Sequence, residues 1–292
     1  MELLNAKKIS DNKRAEIKER VAKIKQTTGK IPGLATILVG KNPASQVYVK
    51  SKIKASENVG IKTFHHNLDN NASKKDIVNL IKKLNENSEV DGILLQLPLP
   101  NNNDVQDCVN AIAPSKDVDG LHPINIGLLN LSKSWIEIIK KNILVPCTPL
   151  GIIYLLHKLG ITIEGKTAVI IGRSNLVGKP IAMLLLANNA TVIMTHSKTK
   201  NLKEVCRNTD IVITAIGKPR FINRDFIKDR TTIIDVGINR TPNGLCGDVD
   251  LNDVKDLDIK ITPVPGGVGP MTITMLLENT LKAFNKKNGL KK

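Results

Sequence analysis

The chain has 292 residues, 41% of them hydrophobic, which is enough for two ordinary cores and too apolar for a disordered chain. Its formal net charge of +16 attracts small anions over long range, but aromatics at 2% and dispersed lysines leave little to bind nucleic acid. No apolar run reaches bilayer-spanning length, so no membrane partner is expected.

The opening MELLNAKKISDNKRAEIKER lacks the apolar stretch of a secretory signal. The four cysteines, Cys108, Cys147, Cys206 and Cys246, form no CxxC pair. Together these features predict a reduced, cytoplasmic protein with buried or bystander thiols and no metal site. The one dense basic stretch is the short NKKNGLKK end.

Taken in order, GLATILVG (33–40) reads as a strand and is followed by a helix at about 45–58. IKTFHHNL (61–68) is a second strand. In SKKDIVNLIKKLNENSE, Ser73 stands as an N-cap with Asp76 three residues on, ahead of apolar residues at helical spacing. VDGILLQLPLP (90–100) is a buried strand whose two prolines must leave the sheet. VPCTPLGIIYLLHKLGI then reads as a connector and a helix between two halves. In the second half GKTAVIIGRS, NATVIMTHS, TDIVITAIGKP and RTTIIDVGI are four β-branched strands. Alternation of strand and helix predicts parallel sheets covered on both faces, in two α/β domains with a cleft between them.

Three stretches carry candidate chemistry. In AVIIGRSNLVGKPIAMLLL a strand meets a helix through a turn holding Gly172 and Gly178, where a pyrophosphate would rest on the helix N-terminus. The match to GxGxxG is imperfect, and an ordinary strand–helix turn accounts for it equally well on its own. A P-loop fails on spacing, and Pro180 stands where that loop needs a hydroxyl. The following strand ends in THSKT with no carboxylate to grip a ribose 2′-hydroxyl. Ser197 and Lys198, with Arg173, suit a 2′-phosphate instead, which favours NADP over NAD.

Tyr48 and Lys52 form the second candidate. With Ser45 they share one face of the expected helix, while Lys50 and Lys54 point elsewhere. Such a lysine is either a solvated stem or a proton-transfer group whose pKa is depressed by partial burial and by its lysine neighbours. YxxxK also marks short-chain dehydrogenases, although there it follows the glycine turn and here it precedes it. The third candidate combines Gln96 at the carboxyl end of its strand, Asp117 and Asp119 in PSKDVDGLHP, and the Gly266, Gly267 and Gly269 loop. Either acid would bond an amino-substituted ring or cap a turn, and the glycines would admit a flat ligand.

YVKSK, DGILLQLPLP, PSKDVDGLHP, CTPLGI, IIGRSNLVGKP, DVGINR, GDVD and PVPGGVGPMT, in this order over nearly the whole chain, resemble the bifunctional methylenetetrahydrofolate dehydrogenase/cyclohydrolase family. The resemblance implies a three-layer α/β catalytic domain at 1–145, completed by a C-terminal helix at 270–292. It also implies a Rossmann-like NADP domain at 146–269, in a homodimer acting on tetrahydrofolate derivatives. Lys52 would be the catalytic lysine, with Tyr48, Gln96 and Asp119 beside it. Tyr48, Val49, Lys50, Ser51 and Lys52, the backbone at Leu95, Gln96 and Leu97, and Pro265, Gly266, Gly267, Val268 and Gly269 would contact substrate. Gly172, Arg173, Ser174, Ser197 and Ile238 would line the NADP site. Oxidation of the methylene carbon and hydrolysis of the resulting methenyl cation would share one cleft. A short-chain carbonyl reductase and a basic nucleic-acid-binding protein stand as the alternatives.

Overall fold

The computed structural model describes residues 1–100, 105–242 and 244–290. The expected C-terminal helix at 270–292 and the basic end therefore have their last two residues outside the described residues. In chain order the first elements are β1 (Glu2–Leu3), α1 (Ala6–Thr28), β2 (Gly33–Val39), α2 (Pro43–Asn58), β3 (Lys62–Leu68) and α3 (Lys74–Glu86). Next come β4 (Gly92–Leu95), α4 (Val105–Asn110), α5 (Pro123–Leu131), α6 (Trp135–Lys140) and α7 (Cys147–Lys158). The later part holds β5 (Thr167–Ile171), α8 (Gly178–Ala187), β6 (Thr191–Thr195), α9 (Leu202–Arg207), β7 (Ile211–Thr214) and β8 (Thr232–Asp235). A hairpin of β9 (Asn239–Thr241) and β10 (Gly244–Cys246), then β11 (Lys260–Ile261) and α10 (Val268–Lys287), complete it.

The chain divides into two compact units. One comprises Asn12–Leu128, Asn142–Cys147 and Ile273–Lys292, and the other Met1–Asp11, Leu129–Lys141 and Thr148–Thr272. No single cut separates them: residues 1–11 and 129–141 group with the later part of the chain.

The first unit is built on a parallel sheet in the order β3-β2-β4. Its central strand is buried throughout, which is why GLATILV is apolar without alternation. Ala35, Ile37 and Val39 join Ile93, Leu95 and the Ile77, Ile81 and Leu84 stripe of α3 in one core. The α3 stripe starts where the sequence places it. Ser73 Oγ accepts from Asp76 N, and the Asp76 carboxylate accepts from Ser73 N at 2.9 Å. β4 is four residues long, shorter than the expected 90–100 strand, and hands over to the Gln96–Pro98 turn. The part of α1 that lies in this unit meets α10 through Arg20, whose Nη1 donates to both Glu278 oxygens at 2.9 and 2.8 Å.

The second unit carries a six-stranded parallel sheet in the order β1-β11-β8-β7-β5-β6. All four strands expected in this half are present. The chain passes from β5 to β6 on one side and to β7 on the other, so strand order reverses at β5. Ligands of open α/β sheets bind at such a reversal, beyond the carboxyl ends of the strands. Val169, Val212, Ile233 and Ile261 form its core with Phe226 and Val254.

Candidate active site

Lys52 belongs to the inward stripe of α2. Ser45, Val49, Lys52, Ala55 and Ser56 are the buried residues of this helix, at the spacing that packs a helix onto a sheet. Asn42 starts the helix, its side chain accepting from Ser45 N at 3.1 Å with Pro43 in the first turn. A lysine thus occupies a core position and is only 5% exposed, whereas Lys50 and Lys54 lie on the exposed face.

The Lys52 ammonium is met by specific groups. Its Nζ donates to Gln96 Oε1 at 2.9 Å and lies 5.1 Å from the centre of the Tyr48 ring, a cation–π distance. Gln96 N bonds Ile37 O at 2.9 Å, which fixes the residue just past the end of β4. Its Nε2 donates to Leu97 O at 2.6 Å, so the amide oxygen faces Lys52. Burial holds the Lys52 pKa below its ordinary value, while the Asp119 carboxylate pulls it back up. The neighbouring lysines, expected to depress it, are not the cause. A Cys147 thiolate would act as Asp119 does, but burial pushes that thiol well above its ordinary range and keeps it protonated.

The two acids of PSKDVDGLHP separate into different roles. The Asp117 carboxylate is buried and accepts from His122 N at 2.8 Å and Asn125 Nδ2 at 2.9 Å. Its backbone bridges to Ile93 of β4. Asp119, half-buried, is the acid whose field reaches Lys52. Lys52, Tyr48, Gln96 and Asp119 are therefore gathered in one unit. Of the other residues expected around the substrate, Val49 is buried in the core, and Lys50 and Ser51 are exposed on α2. Cys147, read from the sequence as a buried or bystander thiol, is buried, with its Sγ 3.2 Å from Val118 O.

The second unit places Gly172 at the end of β5 with φ +123, where a Cβ would fall 2.7 Å from the Ala215 carbonyl beyond β7. At Gly178 a Cβ would strike Gly172 O at 2.4 Å. Glycine is thus required for the two strand ends and the start of α8 to close on one another. Ser174 Oγ accepts from Val177 N at 3.1 Å and Gly178 N at 3.3 Å, capping that helix. At the end of β6, His196 and Thr199 close a turn, with His196 N donating to Thr199 Oγ1 at 2.9 Å. That turn leaves Ser197 and Lys198 exposed, as is Arg173. The glycine cradle and this cationic, hydroxyl-bearing set without a carboxylate fit a dinucleotide with a 2′-phosphate. Ile238 is 53% exposed on the stretch after β8.

Two buried acids that sequence reasoning passed over support this region. Asp248 accepts from Ile216 N, Lys218 N and Asn239 Nδ2 at 2.9, 2.9 and 3.0 Å, fixing the loop after β7. Asp235 accepts from Gly237 N, Asp248 N and Val249 N at 2.9, 3.0 and 2.9 Å. The signal was present in DVGI and GDVD, where an acid stands within two residues of a glycine. A Cβ on Gly237 or Gly247 would lie 2.3 or 1.9 Å from the Asp248 or Asp235 carboxylate. In the loop after β11, Gly266 has φ +99, whereas a Cβ at Gly267 would meet Pro263 O at 2.4 Å. Gly267 is therefore required by its own loop, a reason different from the flat ligand expected.

The tetrahydrofolate dehydrogenase/cyclohydrolase catalytic domain matches residues 4–119, and the NAD(P)-binding domain of the same family matches residues 146–288. The chain belongs to this family. It is 48% identical over 282 residues to the bifunctional protein FolD of Streptococcus thermophilus, covering 96% of each chain. The crystal structure of the bifunctional enzyme FolD from Campylobacter jejuni superposes with a TM-score of 0.93 at 46% identity, covering 98% of this chain and 99% of that one. The Trypanosoma brucei methylenetetrahydrofolate dehydrogenase-cyclohydrolase, solved with NADP cofactor and inhibitor, gives 0.91 at 35% identity, covering 98% of each. Membership of the dehydrogenase/cyclohydrolase family sets aside the short-chain reductase and the nucleic-acid-binding protein.

Proposed function

We propose that this protein oxidises 5,10-methylenetetrahydrofolate to the 5,10-methenyl form with NADP and hydrolyses that product to 10-formyltetrahydrofolate, with Lys52 as the proton-handling residue of the second step. The observation that carries the assignment of Lys52 is its burial in the core stripe of α2 with Nζ on Gln96 Oε1. NADP, when bound, accepts the hydride. Arg173, Ser197 and Lys198 would hold its 2′-phosphate, and the turn from Gly172 to Gly178 its pyrophosphate.

The methenyl cation is electrophilic at carbon and needs a water that loses a proton as it adds. Lowering the pKa of Lys52 raises the fraction that is neutral, and the neutral amine takes that proton. It then returns that proton to the ring nitrogen as the C–N bond opens, and the carbinol hydroxyl releases its own proton to solvent as the formyl C=O forms. Gln96 orients Nζ by accepting one of its hydrogens, and Asp119 stabilises the ammonium and holds the amino edge of the ring. The Tyr48 ring covers the ammonium and restricts water around it. The chain works in the cytoplasm as a homodimer, and the two units divide the labour: residues around α2 and β4 act on folate and those around β5 to β8 hold NADP.

A spectrophotometric assay with 5,10-methylenetetrahydrofolate tests this, comparing NADP with NAD and wild type with Lys52→Ala. The expected result is NADP-dependent formation of methenyl and formyl products, with hydrolysis reduced on the order of 10²–10⁴-fold in the variant and NADP binding retained. Undiminished hydrolysis in Lys52→Ala would remove Lys52 from the reaction. Sedimentation velocity reads the homodimer directly.

A further inference from the structure

The turn bearing Asp119 is short, and its sequence does not explain what holds the acid where its field reaches Lys52. Asp117 anchors one flank through His122 N and Asn125 Nδ2, and Gly120 N closes the turn on Asp117 O at 3.1 Å. Gly120 has φ +72, and a Cβ there would fall 2.4 to 2.7 Å from the Val145 and Pro146 backbone. The turn thus lies directly on the strand of chain that leads to Cys147.

Both partners in that approach are held by one side chain from α10. Asn279 is fully buried, and its Nδ2 donates to Val118 O and Val145 O, each at 2.9 Å. Cys147 Sγ is 3.7 Å from the same nitrogen and bonds Val118 O at 3.2 Å. The two amide hydrogens tie the residue before Asp119 to the residue two before Cys147. Asn279 Oδ1 has no hydrogen-bond partner among the described residues. An apolar residue here would remove the unpaired Oδ1 but also both donors, taking from Val118 O and Val145 O the bonds Nδ2 gives them.

We propose that Asn279 is a positioning residue for the hydrolytic step, clamping Val118 to Val145 so that the Asp119 carboxylate stays directed at Lys52. The proposal rests on the reading that Lys52 and Asp119 serve that step. The titratable groups facing Lys52 are Tyr48 from its own helix, Asp119 from the turn and Cys147 at the start of α7, with Asp117 behind Asp119. Asp119 raises the Lys52 pKa, so a turn that drifts from Lys52 lowers it further.

The test measures hydrolysis of the methenyl substrate against pH in wild type, Asn279→Leu, Asn279→Gln and Lys52→Met, with melting temperature and the KM for NADP recorded for each. Asn279→Leu is expected to lower kcat for hydrolysis on the order of 10- to 100-fold, the range seen when a reacting group is displaced from its place. The limb of its pH profile set by neutral Lys52 moves to lower pH, and the KM for NADP is unchanged. Asn279→Gln keeps two donors and recovers part of both effects; should the leucine variant fail to fold, a profile shifted in the same sense in Asn279→Gln carries the test. A pH profile unmoved in whichever variants fold, with only the melting temperature lowered, assigns Asn279 a purely structural role and overturns the proposal. Hydrolysis surviving in Lys52→Met would instead overturn the reading beneath it.

Discussion

The two units use burial in opposite chemical directions. Around α2 a basic group is buried, and the loss of water drives its pKa down; at the end of β8 an acid is buried, and the same loss pushes Asp235 up to about 6. In both places burial favours the neutral form, but the surroundings differ. Lys52 is met by side chains, Gln96 Oε1 and the Tyr48 ring. Asp235 and Asp248 are met chiefly by backbone amides. The first arrangement suits the proton transfer proposed for Lys52, and the second spends its carboxylates on fixing loops. A strongly shifted group is therefore a functional candidate only when its partners leave it something to do.

Removing the loop anchor gives the largest effect on stability. Asp248→Ala strands the amides of Ile216 and Lys218, and its expected cost is about 3 kcal/mol or more in urea unfolding, with a raised KM for NADP. A loss below about 1 kcal/mol would show that the loop after β7 holds itself and would erase the contrast between the units.

Asp235 gives a pH-dependent effect of known sign. Its folded pKa of about 6 lies above that of the unfolded chain, near 3.9. Its contribution to stability is then fully present below the lower value and is lost as pH rises through the upper one. Between pH 4 and 7 the wild type is expected to lose about 2–3 kcal/mol relative to Asp235→Asn. Equal slopes for the two proteins in unfolding measurements across that range would contradict it.

The smallest effect sharpens the correction at α2. Lys50→Ala and Lys54→Ala, both on the exposed face, are expected to change stability by less than about 0.5 kcal/mol. They should also leave the pH profile of hydrolysis in place. A shift of that profile to higher pH would restore the neighbouring lysines as the cause of the low pKa.

Much of this was legible in the sequence because the signals are local. The Ser73–Asp76 capping box, the uninterrupted GLATILV strand and the Gly172 turn each follow from a few adjacent residues. Lys52 was legible only as one of two possibilities, since a lysine at a core spacing looks like a solvated stem until the strand beneath it is known. Asp117 and Asp119 were indistinguishable for the same reason: the difference lies in Asn125 and His122, which occupy one carboxylate and not the other. Strands β1 and β11, two residues each, are too short to carry a period and exist only through pairing with each other and with β8. The same long-range origin hides Asn279, whose two acceptors are 161 and 134 residues away.

The central claim is that burial holds the pKa of Lys52 below its ordinary value. NMR titration of protein carrying ¹³C-labelled lysine side chains, with Lys52→Met to assign the resonance, measures this directly. The account predicts one lysine signal, absent from the variant, whose midpoint lies below the ordinary 10.5. A Lys52 signal whose midpoint is not below that ordinary value would contradict it.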